Sequence, residues 1–269
     1  MADLPEPRTE AGRRGVAAIR ADPTRALVAL DYDGVLAPIV DDPTQAFPAP
    51  GAAEALRRLA ARVGTLAVVT GRPAEVVVSL GGLDSVPGLL VEGQYGAERW
   101  EAGKLTTPPE PEAVAAARAR LPALLASAGA DPGVWVEDKR LAVVVHTRRA
   151  ADPDEELDRL AAVVERLAAE LGLEAHPGRM VLELRPPGFD KGGVLRRLAA
   201  SARPRSVLFA GDDLGDLPAF AVVEELREAG TPGMTVASAS PEAPEVAARA
   251  DLAVDGPPGV VELLDALAR

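Results

Sequence analysis

Short apolar runs that stop at polar, Gly- or Asp-rich loops recur along the chain, with helical periodicity between them. Residues 27–30 (LVAL) have the length and residue types of a buried strand. They lead into Asp31, Tyr32, Asp33 and Gly34. Residues 41–50 are Pro-rich and acidic and read as a surface loop. Over 52–63, Leu56, Leu59 and Val63 recur at steps of three and four, which places them on one helical face. Residues 65–69 are a second apolar run, ending in Thr70, Gly71 and Arg72, with Pro73 suited to a helix's first turn. A third run, 89–91, opens into EGQYGAE, 92–98, read as a polar loop. Strands alternating with helical stretches predict crossover units and a mostly parallel sheet. Upstream, 1–10 reads as a loose leader and 11–22 as a short helix.

After Lys104 the pattern changes. TTPPEPE, 106–112, is a break, and 113–126 predicts a helix that Pro122 kinks or splits. Residues 134–137 and 141–147 predict a hairpin turning at 138–140. A second amphipathic helix covers 154–170. Residues 173–175 and 179–184 predict another strand pair around His176, Pro177 and Gly178. Helix, two strands, helix, two strands makes a small α+β module. The first pattern then resumes. RPPGFDKGG, 185–193, is a loop before a helix through Ala200, and 206–210 is a strand ending in GDDLGD, 211–216. A helix over 218–229, strands at 234–236 and 252–254 with 241–250 between them, and a closing helix over 257–268 complete the pattern. The expected fold class is α/β: a Rossmann-like, mostly parallel core over 1–107 and 186–269, with an inserted α+β domain over 108–185.

Composition narrows the partners. Acidic residues outnumber basic ones, 41 to 29, for a net charge of -12, which argues against nucleic acid, whose phosphates need basic patches. A small phosphorylated metabolite stays compatible, because a few residues and a metal can hold it. Without cysteine there is no disulfide or thiolate chemistry. No apolar run approaches the roughly 20 residues that span a bilayer, and the N-terminal stretch lacks the apolar core of a secretory signal. The expectation is a cytoplasmic protein with no membrane partner. Nothing marks an oligomer interface, so a monomer is the default.

Four polar loops carry the candidate chemistry: Asp31 with Asp33, Thr70 with Arg72, Lys191, and Asp212 with Asp213 and Asp216. In a parallel sheet the strands' carboxyl ends share one edge. The loops would gather five carboxylates with one lysine, one arginine and one hydroxyl. Such acids repel unless a hard divalent cation sits among them or some stay protonated. An Asp can also act as a phosphoryl-carrying nucleophile. His146 and His176, with no cysteine beside them, do not suggest a zinc site, and His146 in an apolar strand reads as a packed residue. GGLDSVPG, 81–88, lacks nucleotide-loop spacing and reads as plain turn.

DYDGVLAPI, VVTGR, DKG and GDDLGD together resemble the signature of the haloacid-dehalogenase-like phosphohydrolases. VEDK at 136–139, His146 with Arg148, and ELRP at 183–186 narrow the resemblance to the trehalose-6-phosphate phosphatase family. The similarity runs from about Leu27 nearly to the C-terminus. It implies an Mg²⁺-dependent phosphatase with Asp31 as nucleophile and Asp33 as general acid, then base. Asp31, the Asp33 backbone carbonyl and Asp212 would bind the metal, with Asp213 and Asp216 in or near the surrounding shell. Thr70 would bond a phosphoryl oxygen, Lys191 would neutralise charge, and Arg72 would support the phosphate or its loop. The inserted domain would be a cap, with Glu137, Lys139 and Glu183, and Arg185 beside them, toward the sugar. Val35, Tyr95, Gly215 and Leu217 depart from the family's usual Thr, His, Thr and acid. They leave the chemical groups in place and bear on substrate choice. The alternatives are the same mechanism on another sugar or pseudosugar phosphate, a phosphotransferase such as a mutase, and a non-catalytic sugar-phosphate-binding or regulatory module.

Overall fold

The computed structural model describes residues 6–40, 42–178, 180–239 and 244–269. The leader expected over 1–10, the loop over 41–50, the strand over 179–184 and the connection over 241–250 each include positions outside the described residues. In chain order the elements are α1 (Glu10–Ala21), β1 (Ala26–Leu30), α2 (Ala52–Ala60), β2 (Thr65–Val69), α3 (Ala74–Gly81), β3 (Leu89–Gly93), β4 (Glu98–Glu101) and β5 (Lys104–Thr106). Next come α4 (Glu112–Ser127), β6 (Trp135–Asp138), β7 (Val143–His146), α5 (Pro153–Leu171), β8 (Glu174–Gly178) and β9 (Val181–Arg185). The last are α6 (Lys191–Ala202), β10 (Ser206–Gly211), α7 (Leu217–Glu228), β11 (Gly233–Ser238), α8 (Pro244–Arg249), β12 (Leu252–Val254) and α9 (Gly256–Leu267). They fall into two compact units, Met1–Thr107 with Asp190–Arg269, and Pro108–Phe189.

The first unit holds a sheet in the order β12-β11-β10-β1-β2-β3-β4-β5. Its strands are parallel from β12 to β3, and β4 and β5 extend it antiparallel. Every residue of β1 is buried, because helices cover both faces. Leu27 and Ala29 share a core with Leu198 of α6 and Phe220 of α7. Val28 and Leu30 share another with Ile19 of α1, Leu56 of α2 and Leu264 of α9. The two-residue period of a strand divides β1 between these layers. From β1 the order runs outward through β2 and β3, and from β10 it runs the other way through β11 and β12. A crevice therefore opens at the carboxyl ends of β1 and β10.

The second unit is a four-stranded antiparallel sheet, β6-β7-β9-β8, with α4 and α5 on one face. Val143, Val145, Leu182 and Leu184 meet Leu121, Leu125, Leu160 and Val164 there. Strand alternation puts Trp135, Glu137, His146, Glu183 and Arg185 on the other face. His146 stacks on Trp135 with centroids 4.3 Å apart, and Arg149 lies over the same indole. His146 is thus a packed residue, half-buried.

Three expectations need correction. Pro122 lies inside α4 without splitting it, because Val114, Ala117, Leu121 and Leu125 bury one continuous face while Pro122 faces solvent. His176, Pro177 and Gly178 belong to β8 rather than to a turn. A proline's missing donor is tolerated there because β8 is an edge strand. The expected loop over 92–98 contributes residues to β3 and β4, and the β4–β5 hairpin went unassigned. Its strands, ERWE and KLT, carry mostly charged or polar residues, and it turns on left-handed Ala102 and Gly103. Among the described residues no helix is long and apolar enough to cross a membrane.

One buried acid fastens α1 to the sheet. Asp251 is 3% exposed and accepts from Thr235 N at 2.7 Å, Thr235 Oγ1 at 2.9 Å, Arg227 and the α1 cap Thr9. Burial pushes its carboxyl up, but these donors outweigh burial and hold it below its ordinary value. Its contribution is therefore present above the ordinary carboxylate range and lost as pH falls through the depressed value. Asp251→Ala strands Arg227 and the Thr235 amide, with an expected cost of about 3–5 kcal/mol in urea unfolding at neutral pH. A loss under about 1 kcal/mol would remove this network from the account.

Candidate active site

Asp31 follows β1 directly, and its N–H extends the ladder to Ala210 O at 2.9 Å. Its carboxylate is therefore carried to the crevice, yet it is only 4% exposed. Gly34 has a φ of 70°, and a Cβ there would overlap the Asp212 carboxylate. Glycine lets the loops after β1 and β10 close on each other. Ser238 Oγ donates to Gly34 O at 2.6 Å and holds the turn from β11. At the end of β10, a Cβ on Gly211 would strike Asp216, so this glycine lets Asp216 fold beneath the strand end. The Asp216 side chain accepts from the backbone N–H of Asp212 at 2.9 Å and of Asp213 at 3.2 Å.

Lys191 opens α6, whose N-cap Asp190 accepts from Gly193 N. Its ammonium lies 2.8 Å from Asp31 Oδ2 and 2.7 Å from Asp216 Oδ1, with Asp213 Oδ1 at 4.0 Å. Asp31, Asp212 and Asp216 each place a carboxylate oxygen within 4.8 Å of the others'. Three buried acids thus surround one buried cation. Burial raises Asp31 well above the ordinary carboxylate value, against the pull of Lys191. Burial, then Asp216 and Asp213, push Asp212 to about 8. Burial also raises Asp216, although Lys191 opposes it. Burial pulls Lys191 down, but Asp216 and Asp31 outweigh it and raise its affinity for the proton. Fully ionised, the cluster would carry more negative charge than its lysine balances, and the raised acids are the sign of that excess. All-oxygen donors with surplus charge suit a hard divalent ion such as Mg²⁺.

The remaining predicted residues follow β2. Thr70 is fully buried, its N–H donates to Glu92 O, and its Oγ1 accepts from Arg72 N at 3.1 Å. Arg72 grips the Asp33 carboxylate with two bonds, of 2.7 and 2.8 Å, and donates to Pro43 O at 2.6 Å. Its guanidinium also lies over the Tyr32 ring, whose hydroxyl donates to Ala46 O. Asp33 therefore stands paired with arginine, beside the acid cluster. In the second unit, Lys139 lies 2.9 Å from Glu183, Arg185 lies 3.4 Å from Glu183, and Glu137 meets His146 at 2.8 Å. Ser238 and the turn at Gln94 and Tyr95 also belong to the core site's scaffold. Ser238 has no sequence signal. Tyr95 was one of the four positions set apart in the sequence.

The buried acids make a stability prediction. Asp212 is raised, so its contribution to folding is present at low pH and lost as pH rises through about 8. Asp212→Asn is expected to raise the melting temperature of the metal-free protein at pH 8 by about 2–4 °C for each kcal/mol of relief. At pH 5, closer to the ordinary carboxylate value, the change should be smaller but of the same sign. Scanning fluorimetry in EDTA at both pH values reads this, and a fall at pH 8 would contradict it.

Residues 29–258 match the family described as Trehalose-phosphatase. A trehalose-phosphate phosphatase of Mycobacterium tuberculosis is 38% identical over 259 residues, covering 90% of this chain and 61% of that protein. One of Mycobacterium marinum is 34% identical over 295 residues, covering 100% of this chain and 70% of that protein. The chain thus spans about three-fifths of the length of the first curated relatives it matches, at 61%. The solved C-terminal domain of the Candida albicans trehalose-6-phosphate phosphatase superposes with a TM-score of 0.72 at 21% identity, covering 99% of each chain. That likeness speaks for the fold.

Proposed function

The chain belongs to the trehalose-phosphatase family, and on that premise we propose that it is an Mg²⁺-dependent phosphatase that hydrolyses trehalose 6-phosphate to trehalose and phosphate. The observation that carries this reading is Lys191, buried between Asp31 and Asp216 with Asp212 alongside, at the crevice of a haloacid-dehalogenase-like core. A binding module has no need of this arrangement.

Asp31 attacks phosphorus, a P–O bond forms to its carboxylate, and the bond to the sugar oxygen breaks. Asp33 gives its proton to the departing oxygen. Asp33 then takes a proton from water, whose oxygen attacks the aspartyl-phosphate, and phosphate leaves while Asp31 is regenerated. Lys191 steadies the Asp31 carboxylate and balances charge that spreads over the phosphoryl oxygens. The Thr70 hydroxyl orients one of those oxygens. Asp31 and Asp212, with the Asp33 backbone carbonyl, would hold Mg²⁺, which supplies positive charge to the phosphoryl oxygens and favours the ionised form of the acids. In the second unit, taken as the cap, Glu137, Lys139, Glu183 and Arg185 offer charged hydrogen-bonding groups that suit sugar hydroxyls.

The test is phosphate release with Mg²⁺ or EDTA across trehalose 6-phosphate, glucose 6-phosphate and sucrose 6-phosphate. The expected result is Mg²⁺-dependent turnover favouring trehalose 6-phosphate by about 10²-fold or more in kcat/KM. Equal turnover of all three substrates would remove the assigned specificity. Turnover of none of them would remove the enzyme.

A further inference from the structure

Gln94 and Tyr95, after β3, both take the left-handed backbone conformation, with φ of 46° and 56°. Residues bearing a Cβ adopt it rarely. Gly96 continues the turn at 87°. Several contacts hold this backbone in place. Gln94 N–H donates to Arg72 O and Tyr95 N–H donates to Thr70 O, each at 2.9 Å. The Gln94 side-chain amide donates to Glu98 Oε1 at 3.0 Å, and Glu98 Oε2 accepts from Ala74 N at the start of α3. Gly96 lies against Val194 and Arg197 of α6 so closely that a Cβ would collide with both, and Arg197 donates to Gly96 O at 3.2 Å. The Tyr95 phenol rests on Gly71, where a Cβ would stand 2.6 Å from its oxygen.

One strained turn therefore touches the segment carrying Thr70 and Arg72 and the helix that begins with Lys191. Backbone strain held in place by surrounding contacts is a mark of constraint at a functional site. The link onward is short. Arg72 spends its Nε and one terminal nitrogen on Asp33 and the other terminal nitrogen on Pro43 O. A shift of the 70–72 backbone carries the Asp33 carboxylate with it.

We propose that Tyr95 is a positioning residue: its ring, seated on Gly71, braces the 70–72 turn so that Arg72 holds the Asp33 carboxylate where a proton must be passed. This rests on the phosphatase reading above.

Steady-state kinetics on trehalose 6-phosphate test it. Tyr95→Ala is expected to lower kcat by about tenfold with KM changed less than about twofold, whereas Tyr95→Phe keeps the ring and stays within about threefold of the parent in kcat. In an Arg72→Ala background most of the Tyr95→Ala loss should disappear, because both act through one contact. Amide exchange over 70–74 should speed up in Tyr95→Ala and not in Tyr95→Phe, with the rest of the chain unchanged. A rise in KM at constant kcat, a Phe variant as impaired as Ala, multiplying losses, or unchanged exchange would each overturn the proposal. If the parent protein hydrolyses no phosphomonoester, the phosphatase reading falls, while the exchange comparison still decides whether Tyr95 braces the turn.

Discussion

Asp31→Asn is expected to cut phosphate release from trehalose 6-phosphate by about 10⁴-fold or more while the protein stays folded. Asparagine keeps the shape of the side chain but cannot form the acyl phosphate. The stability half of the prediction follows from the burial of Asp31. Its carboxyl is pushed well above the ordinary value, chiefly by burial and further by Asp216 and Asp212, and is opposed by Lys191. Raised acids contribute stability at low pH that is lost as pH rises. Removing this charge leaves Lys191 paired with Asp216 at 2.7 Å. The melting temperature of the variant at neutral pH should therefore match or exceed that of the parent. Retained turnover in the folded variant would take the nucleophile's role from Asp31. A collapsed melting temperature would make Asp31 a structural residue first.

Lys191→Met is expected to have the second largest effect, and on both axes. The methionine fills a similar volume, but Asp31 and Asp216 lose the cation they share at 2.8 and 2.7 Å. Breaking a buried pair from one side costs about 3–5 kcal/mol. Without the lysine, all three buried acids rise further, so the deficit should be largest at pH 8 and shrink toward pH 5 as they take up protons. Mg²⁺ should recover part of the stability by binding the folded state alone. Turnover should fall by about 10²-fold or more, since charge on the phosphoryl group loses a preorganised partner. Unfolding in urea across pH, with and without Mg²⁺, measures the first effect. A pH-independent loss would mean that packing, not charge, is what Lys191 supplies.

These two residues show how much of the fold and site could be read in the amino-acid order. β1 and β10 were legible because parallel strands buried on both faces are short and uniformly apolar, and each stops at acids. Gly34 was visible beside the two acids that end β1, although the sequence could not say that the Asp212 carboxylate fills the space where its side chain would be. The three acids of GDDLGD were equally visible. Which of them lies deepest was not, because that depends on Gly211 letting Asp216 turn under the strand end. Asp33 and Arg72 were both singled out, yet their pairing joins loops 39 residues apart, and no local pattern encodes it. The β4–β5 hairpin was missed because charged residues dominate its strands, which defeats alternation as a signal. The second half of the β8 edge strand was read as a turn because His176, Pro177 and Gly178 carry turn chemistry that strand pairing with β9 overrides.

On the proposed mechanism, Asp31 carries the phosphoryl group from one half-reaction to the next. The direct measurement is an acid quench of the protein during turnover of trehalose 6-phosphate labelled on phosphorus, in Mg²⁺, followed by peptide mapping. The account predicts label on the peptide containing Asp31, released by hydroxylamine and absent from Asp31→Asn. Label on another residue, or rapid phosphate release with no label on Asp31 at any quench time, would contradict it.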